Sequence, residues 1–116
     1  MIEINNKIKA QVAIKNRLFV SGWLLNNILH KVKDGSIEAD IELFYEGDIA
    51  VGVAVNITEE NYNDYKAMVF VKKQYRKKGI GSKLIKQLNP KSDTMVGKGV
   101  PNSLNFWIKN GYENIA

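Results

Sequence analysis

The sequence between residues 66 and 88 reads KAMVFVKKQYRKKGIGSKLIKQL, and this stretch decides the fold. An apolar run ends at Val71, a basic loop follows, and the apolar residues from Gly79 to Leu88 recur at helical spacing. This order predicts a strand, a loop and a short helix that packs back on a sheet. Because the strand over residues 66–71 is strongly apolar, both of its faces should be covered, which predicts that it is the sheet centre.

The junction between this loop and the helix suits an anion. Unpaired amides of a first helical turn point outward, the helix dipole adds partial positive charge, and glycines let phosphate oxygens approach the backbone. Arg76 can add a bidentate clamp, and Lys77 or Lys78 a point charge. The residues therefore predict a phosphate or pyrophosphate site.

Two common nucleotide motifs do not match this junction. A Walker-type loop needs four residues between its glycines, followed by lysine and a hydroxyl residue, whereas Gly79 and Gly81 are separated by one residue. A dinucleotide fingerprint needs a third glycine where Leu84 stands.

Upstream, residues 8–14 alternate in polarity, which predicts a first strand. The stripe from Leu18 to Val32 has helical spacing and ends at Asp34-Gly35, so it predicts an amphipathic helix. Residues 37–43 and 49–57 alternate on either side of Glu46-Gly47-Asp48, which predicts an antiparallel hairpin.

Downstream, residues 93–97 predict a brief strand, and residues 102–110 predict a last helix that stops at Gly111. The elements sum to an α+β, or mixed three-layer, domain with a mostly antiparallel sheet flanked by helices. A chain of 116 residues, 45% hydrophobic and 25% charged, fits one packed domain over residues 1–116.

Composition excludes several classes of function. The chain has no cysteine, and His30 is its one histidine, so disulfides, thiolate chemistry and a metal site at usual ligand spacing are not expected. His30 stands near the predicted helix end, where it should cap the helix or face solvent. No run approaches a membrane span and the first residues lack an export signal, so we expect a cytoplasmic location.

The residues from Arg76 to Gly81 also resemble the acetyl-CoA signature of the GNAT N-acetyltransferase superfamily: arginine or glutamine, two residues, glycine, one residue, then glycine or alanine. The resemblance extends to Val71 before the signature and to Ser82, Leu84 and Ile85 after it. Residues 103–112 resemble a second family feature, an aromatic pair followed by lysine, glycine and another aromatic residue.

This resemblance implies an N-acetyltransferase that binds acetyl-CoA without a metal and transfers the acetyl group to an amine, on a small molecule or a protein, by direct attack. The loop would grip the pyrophosphate, and the pantetheine arm would lie along the strand, where an amide would polarise the thioester carbonyl. The residues implied in cofactor binding are Met68, Val69, Phe70, Val71, Arg76, Lys77, Lys78, Gly79, Ile80, Gly81, Ser82, Asn102, Phe106, Trp107 and Lys109.

The sequence departs from the family at the acid that often protonates the thiolate, because Trp107 stands where a tyrosine is usual. Tyr75, Tyr112 and Tyr45 are the possible substitutes, and Asn102 lies closer to the aromatic pair than the family's asparagine does. Candidate general bases are the carboxylates of the strand meander, namely Glu42, Glu46, Glu59 and Asp64.

The family usually continues with two more strands than this sequence provides, so we expect a fold truncated at the carboxyl end. An open cleft for a large acceptor, a second subunit as in a homodimer, and lost catalysis are the alternatives. An inactive acyl-CoA-binding module therefore competes with the enzyme.

A third hypothesis uses the net charge of +5, much of it in residues 72–78. Such a basic run, with Tyr75 as a stacking aromatic, is typical of nucleic-acid binding. The phosphates of coenzyme A would explain the same charges, so nucleic acid is not required.

Overall fold

The structure is a computed structural model that describes residues 5–19, 24–59, 67–88, 94–95, 106, 110 and 113–114. The helices in these ranges are α1 (Asn6–Lys15), α2 (Leu24–Asp34) and α3 (Ile80–Leu88), with a 3-10 turn at Lys73–Tyr75. The strands are β1 (Ala39–Glu46), β2 (Ile49–Ile57), β3 (Ala67–Val71), β4 (Thr94–Met95) and β5 (Glu113–Asn114). This α+β architecture is the predicted one.

The predicted strand over residues 8–14 is wrong, because this segment lies within α1. Asn5 caps the helix by accepting a 2.9 Å hydrogen bond from the amide of Ile8. Ala10 and Ala13, three residues apart, form the buried face, while Ile8 remains 38% exposed. Ile8 and Val12 are four residues apart, and this spacing places them on one face of a helix as well as on one face of a strand. The pattern therefore does not distinguish the two structures.

Helix α1 ends in a Schellman motif, which also explains why α2 begins later than predicted. Arg17 takes a left-handed φ of 55°, and the amide of Leu18 donates to the carbonyl of Ala13 at 2.9 Å. Leu18 is thus buried after α1 and is not the first residue of α2.

Between Leu24 and Asp34, helix α2 carries the predicted apolar stripe. Its buried residues are Leu25, Ile28, Leu29 and Val32. Gly35, with φ of 81°, follows the last turn as predicted, and His30 faces solvent. None of the helices in the described ranges is long and apolar enough to span a membrane.

The sheet has the order β1-β2-β3 and is antiparallel throughout. The predicted hairpin is confirmed, with Gly47 at φ of 60° in its turn. Strand β2 is the centre and is buried from Ala50 to Ile57, whereas all five residues of β3 are half-buried. The prediction that β3 is the central strand is therefore wrong for the described sheet.

Small residues explain why β2 can be covered on both faces. Val53 and Val55 pack with α1 and α2 on one side, and Ala54 packs with α3 on the other. A Cβ on Gly52 would lie 3.0 Å from Cδ1 of Leu84 and 3.3 Å from Cγ2 of Ile80. Apolar composition alone does not distinguish β2 from β3, but the small residues let a helix approach the backbone of β2.

Strand β4 falls within the predicted segment 93–97 and pairs in parallel with β5. Strand β5 was not predicted, since two residues are too few to show an alternating pattern. Of the predicted last helix, Phe106 is helical, while Asn102, Trp107 and Lys109 lie outside the described residues.

Candidate functional site

A pocket of about 450 Å³ lies where β3 meets the first turn of α3. Its walls come from the end of the strand, the basic loop, the start of the helix and one aromatic residue from farther along the chain. The lining residues are Val69, Val71, Tyr75, Arg76, Lys77, Gly79, Ile80, Gly81, Ser82 and Phe106.

The loop enters α3 through two residues with left-handed backbone. Gly79 has φ of 79°, and no atom of the described residues lies within 4 Å of the position where its Cβ would be. Glycine is therefore favoured at 79 by conformation, not by space. Lys77 has φ of 66°, which is a strained conformation for a residue with a side chain and costs about 1 kcal/mol. Strain of this kind tends to collect at functional sites.

The first turn of α3 opens toward the pocket. Its first intrahelical bond runs from the amide of Lys83 to the carbonyl of Gly79 at 3.1 Å. The amides of Ile80, Gly81 and Ser82 precede that bond, and they have no hydrogen-bond partner among the described residues. Together with the helix dipole, these amides form an anion site.

Gly81 is favoured by a second contact that the sequence did not suggest. A Cβ at this position would lie 2.8 Å from Cε1 and 3.2 Å from Cζ of Phe106. The ring of Phe106 thus packs directly on the backbone of α3 at the pocket wall. Close aromatic packing, besides access for an anion, favours glycine here.

Arg76 is held at the end of β3 by two contacts. Its Nε donates to the carbonyl of Val71 at 2.7 Å, and its guanidinium carbon lies 5.4 Å from the centroid of the Phe70 ring. Neither contact uses the terminal nitrogens, so the side chain is anchored while those donors remain available.

The other cations around the pocket are exposed. Lys78 lies 5.7 Å from the centroid of Tyr75, and Lys83 lies 5.9 Å from that of Phe44. No cation of the loop has an ion-pair partner in the described part of the chain, where Lys9 and Glu42 form the one ion pair. The positive charge at this corner is therefore not neutralised by those residues.

The outer edge of β3 presents main-chain groups of alternate residues. The amide of Lys72 donates to the carbonyl of Val51 at 2.9 Å, so the pattern of the ladder turns Met68 and Phe70 toward β2. Val69 and Val71 then direct their main-chain groups away from β2, along the edge that borders the pocket. The resemblance implied binding by all four residues, from Met68 to Val71, without this distinction.

A family model described as an acetyltransferase (GNAT) domain matches residues 37–114. The chain belongs to the GNAT acetyltransferase superfamily. The match covers β1 through β5 and includes every residue that lines the pocket. Comparisons with curated proteins and with solved structures found no match to either.

Within the GNAT domain, the predicted catalytic candidates fall in different places. Tyr75 lines the pocket. Glu42 lies on β1, separated from β3 by the whole of β2, and its carboxylate pairs with Lys9 at 3.8 Å. Tyr112 and Asp64 lie outside the described residues.

The remaining candidates do not line the pocket. Tyr45 and Glu46 are exposed at the end of the hairpin, and Glu59 accepts a 2.9 Å hydrogen bond from the amide of Glu38. No group of three or more histidine, aspartate or glutamate side chains in the described ranges could hold a metal ion.

Sequence reasoning missed one side chain that contacts the pocket wall of the GNAT domain. The side-chain nitrogen Nδ2 of Asn110 donates to Oγ of Ser82 at 3.2 Å and to the carbonyl of Phe106 at 2.8 Å. In the sequence, Asn110 precedes Gly111 and reads only as part of a helix end. Nothing local relates it to a serine that lies 28 residues earlier.

Proposed function

We propose that the chain is a single-domain N-acetyltransferase, over residues 1–116, that takes its acetyl group from acetyl-CoA and transfers it to an amine. The observation that carries this proposal is the convergence on one pocket of first-turn amides without a partner among the described residues, of loop cations, and of the β3 edge that faces away from β2. Coenzyme A joins a pyrophosphate to an amide-containing arm. The pyrophosphate requires an anion site, and the arm requires main-chain groups with which it can form hydrogen bonds.

The pyrophosphate would lie against the first turn of α3. The amides of Ile80, Gly81 and Ser82 would donate to its oxygens, and the terminal nitrogens of Arg76 would clamp it. Lys77 would add its charge from the pocket wall. Lys78 does not line the pocket, so its contribution would be through the electrostatic field.

The pantetheine arm would pair with the outer edge of β3. Because Nε of Arg76 already occupies the carbonyl of Val71, the groups left for pairing are the amide of Val71 and both main-chain groups of Val69. Phe106 would face the arm from the opposite wall. Met68 and Phe70 would support the strand from its other face, where they pack on the larger core.

The proposed reaction is direct attack of the neutral amine on the thioester carbonyl. A C–N bond forms, a strand amide stabilises the oxyanion, and the C–S bond breaks with the electron pair leaving on sulfur. The amine nitrogen gives its proton to water, and the thiolate gains one. The phenol of Tyr75 is our candidate for the donor to the thiolate, because of the tyrosines in the described ranges it is the one that borders the pocket.

Titration with acetyl-CoA and with free coenzyme A tests the binding half of this proposal. We expect micromolar-range affinity for both, and we expect Gly81→Glu to abolish it by placing a carboxylate among the amides. Two controls match this variant: Gln87→Glu adds the same charge on an exposed position of α3 outside the pocket, and Gly81→Ala places the same Cβ against Phe106 without the charge. Absence of binding by the unmodified protein would refute the proposal.

A thiol-release assay against an amine library tests the transfer half. Turnover with any amine supports the enzyme, while tight binding without turnover would support an inactive acyl-CoA module instead. Incubation with labelled acetyl-CoA and a cell lysate then identifies the acceptor class, small molecule or protein. Salt-dependent binding of DNA or RNA that coenzyme A does not displace would favour the nucleic-acid hypothesis.

A further inference from the structure

The link between Asn110 and Ser82 joins two parts of the pocket wall that are distant in sequence. Ser82 lies in the first turn of α3 and lines the pocket, and Asn110 follows the helical residue Phe106 by one turn. Both side chains are partly buried, so their hydrogen bond is shielded from competing solvent.

The orientation of the Asn110 amide is fixed by its second partner. The carbonyl of Phe106 can only accept a hydrogen bond, so the NH₂ group of Asn110 must face it at 2.8 Å. That group has two hydrogens, and the second points to Oγ of Ser82 at 3.2 Å. The carbonyl oxygen of the Asn110 side chain is thereby turned away from Ser82.

This orientation decides what the Ser82 hydroxyl can do. Because Oγ accepts from Asn110, the hydroxyl hydrogen of Ser82 cannot be directed at that neighbour and must be donated elsewhere. Ser82 borders the pocket beside the amides of Ile80 and Gly81, which have no hydrogen-bond partner in the described part of the chain. A hydroxyl donor at this position completes a set of donors around a bound anion.

We infer that Asn110 is a positioning residue that directs the Ser82 hydroxyl hydrogen at the pyrophosphate of coenzyme A. The inference rests on the proposed function, because it takes the pyrophosphate as the anion in the pocket. It adds a specific role for a residue that need not touch the ligand.

A double-mutant cycle on coenzyme A binding tests this role. We expect Ser82→Ala to weaken affinity about tenfold, because it removes a charge-assisted hydrogen bond to the anion. We expect Asn110→Ala to weaken affinity about threefold, because the hydroxyl remains but is no longer directed at the anion. In the Ser82→Ala background, Asn110→Ala should have no further effect, because the hydroxyl that it positions is gone. Pantetheine, which lacks the pyrophosphate, should bind all four proteins equally.

Asn110→Asp supplies a second test that keeps the size of the side chain. A carboxylate accepts the hydroxyl hydrogen of Ser82 and draws it away from the ligand, besides adding a negative charge. The loss of affinity should therefore be larger with Ser82 present than in the Ser82→Ala background, where only the charge effect remains. Thermal unfolding without ligand confirms that each variant is folded.

The outcomes separate this inference from the proposed function. If the unmodified protein does not bind coenzyme A, both fail together. If it binds, but the two alanine substitutions are additive or weaken pantetheine equally, the positioning role is wrong and the proposed function stands. Asn110 would then serve only to dock the segment around Phe106 on α3.

Discussion

Arg76 donates from Nε to the carbonyl of Val71 at 2.7 Å, and so ties the basic loop back to the end of β3. The bond occupies one main-chain group on the edge of the strand that faces away from β2. It also holds the guanidinium beside the pocket, with the Phe70 ring 5.4 Å from its carbon. One side chain therefore couples the strand edge to the proposed phosphate site.

Arg76→Lys should weaken coenzyme A binding about tenfold, because a lysine has one nitrogen and cannot both bond Val71 and clamp a phosphate. Phe70→Leu should weaken binding less, by about threefold, because it removes the ring contact and leaves the hydrogen bond. Isothermal titration measures both changes. Equal affinity of Arg76→Lys and the unmodified protein would contradict the anchoring role.

Lys77→Asn should leave thermal stability nearly unchanged, since asparagine tolerates the left-handed backbone at this position. It should weaken coenzyme A binding several-fold at low salt, and the difference should shrink at high salt as the lost charge is screened. Lys73→Asn is the matched control, because Lys73 is exposed in the 3-10 turn and does not line the pocket. A larger effect at Lys73 would contradict the assignment.

Gly81→Ala should destabilise the protein by about 1 kcal/mol. Crowding of a Cβ at 2.8 Å from Phe106 costs about 1–3 kcal/mol and outweighs the helix preference of alanine, which is about 1 kcal/mol. In a Phe106→Leu background the ring is gone, so the same substitution should become neutral or stabilising. Denaturant unfolding of the unmodified protein, the two single variants and the double variant measures the change in the free energy of unfolding in each background. If Gly81→Ala destabilised the Phe106→Leu variant as much as the unmodified protein, Phe106 would not be the cause.

Tyr75→Phe should lower kcat about tenfold or more while KM for acetyl-CoA changes less than about twofold, if the phenol donates the proton to the thiolate. Tyr45→Phe removes the same hydroxyl at the exposed end of the hairpin and should leave both constants unchanged. Initial rates of thiol release give both values. An unaltered kcat for Tyr75→Phe would transfer the proton-donor role to water or to the incoming amine.

The elements that the sequence predicted well are those with a strong local pattern. The hairpin from Ala39 to Ile57 and helix α3 have long alternating or helical runs with clear turn residues at their ends. Helix α1 stands where the sequence predicts a strand, because its alternating residues satisfy both periods and the helix is marked only by the cap at Asn5. Strand β3 was placed at the centre because its apolar run matches that of β2.

By itself, the sequence determined the order of strand, basic loop and helix between Ala67 and Leu88, and with it the predicted anion site. These features depend on neighbouring residues, whose spacing can be read along the chain. The tertiary structure alone decided that β2 is central, that Gly81 lies against Phe106, and that Asn110 hydrogen-bonds to Ser82. Such contacts join residues far apart in sequence, and they depend on how closely the elements pack, which no local pattern encodes.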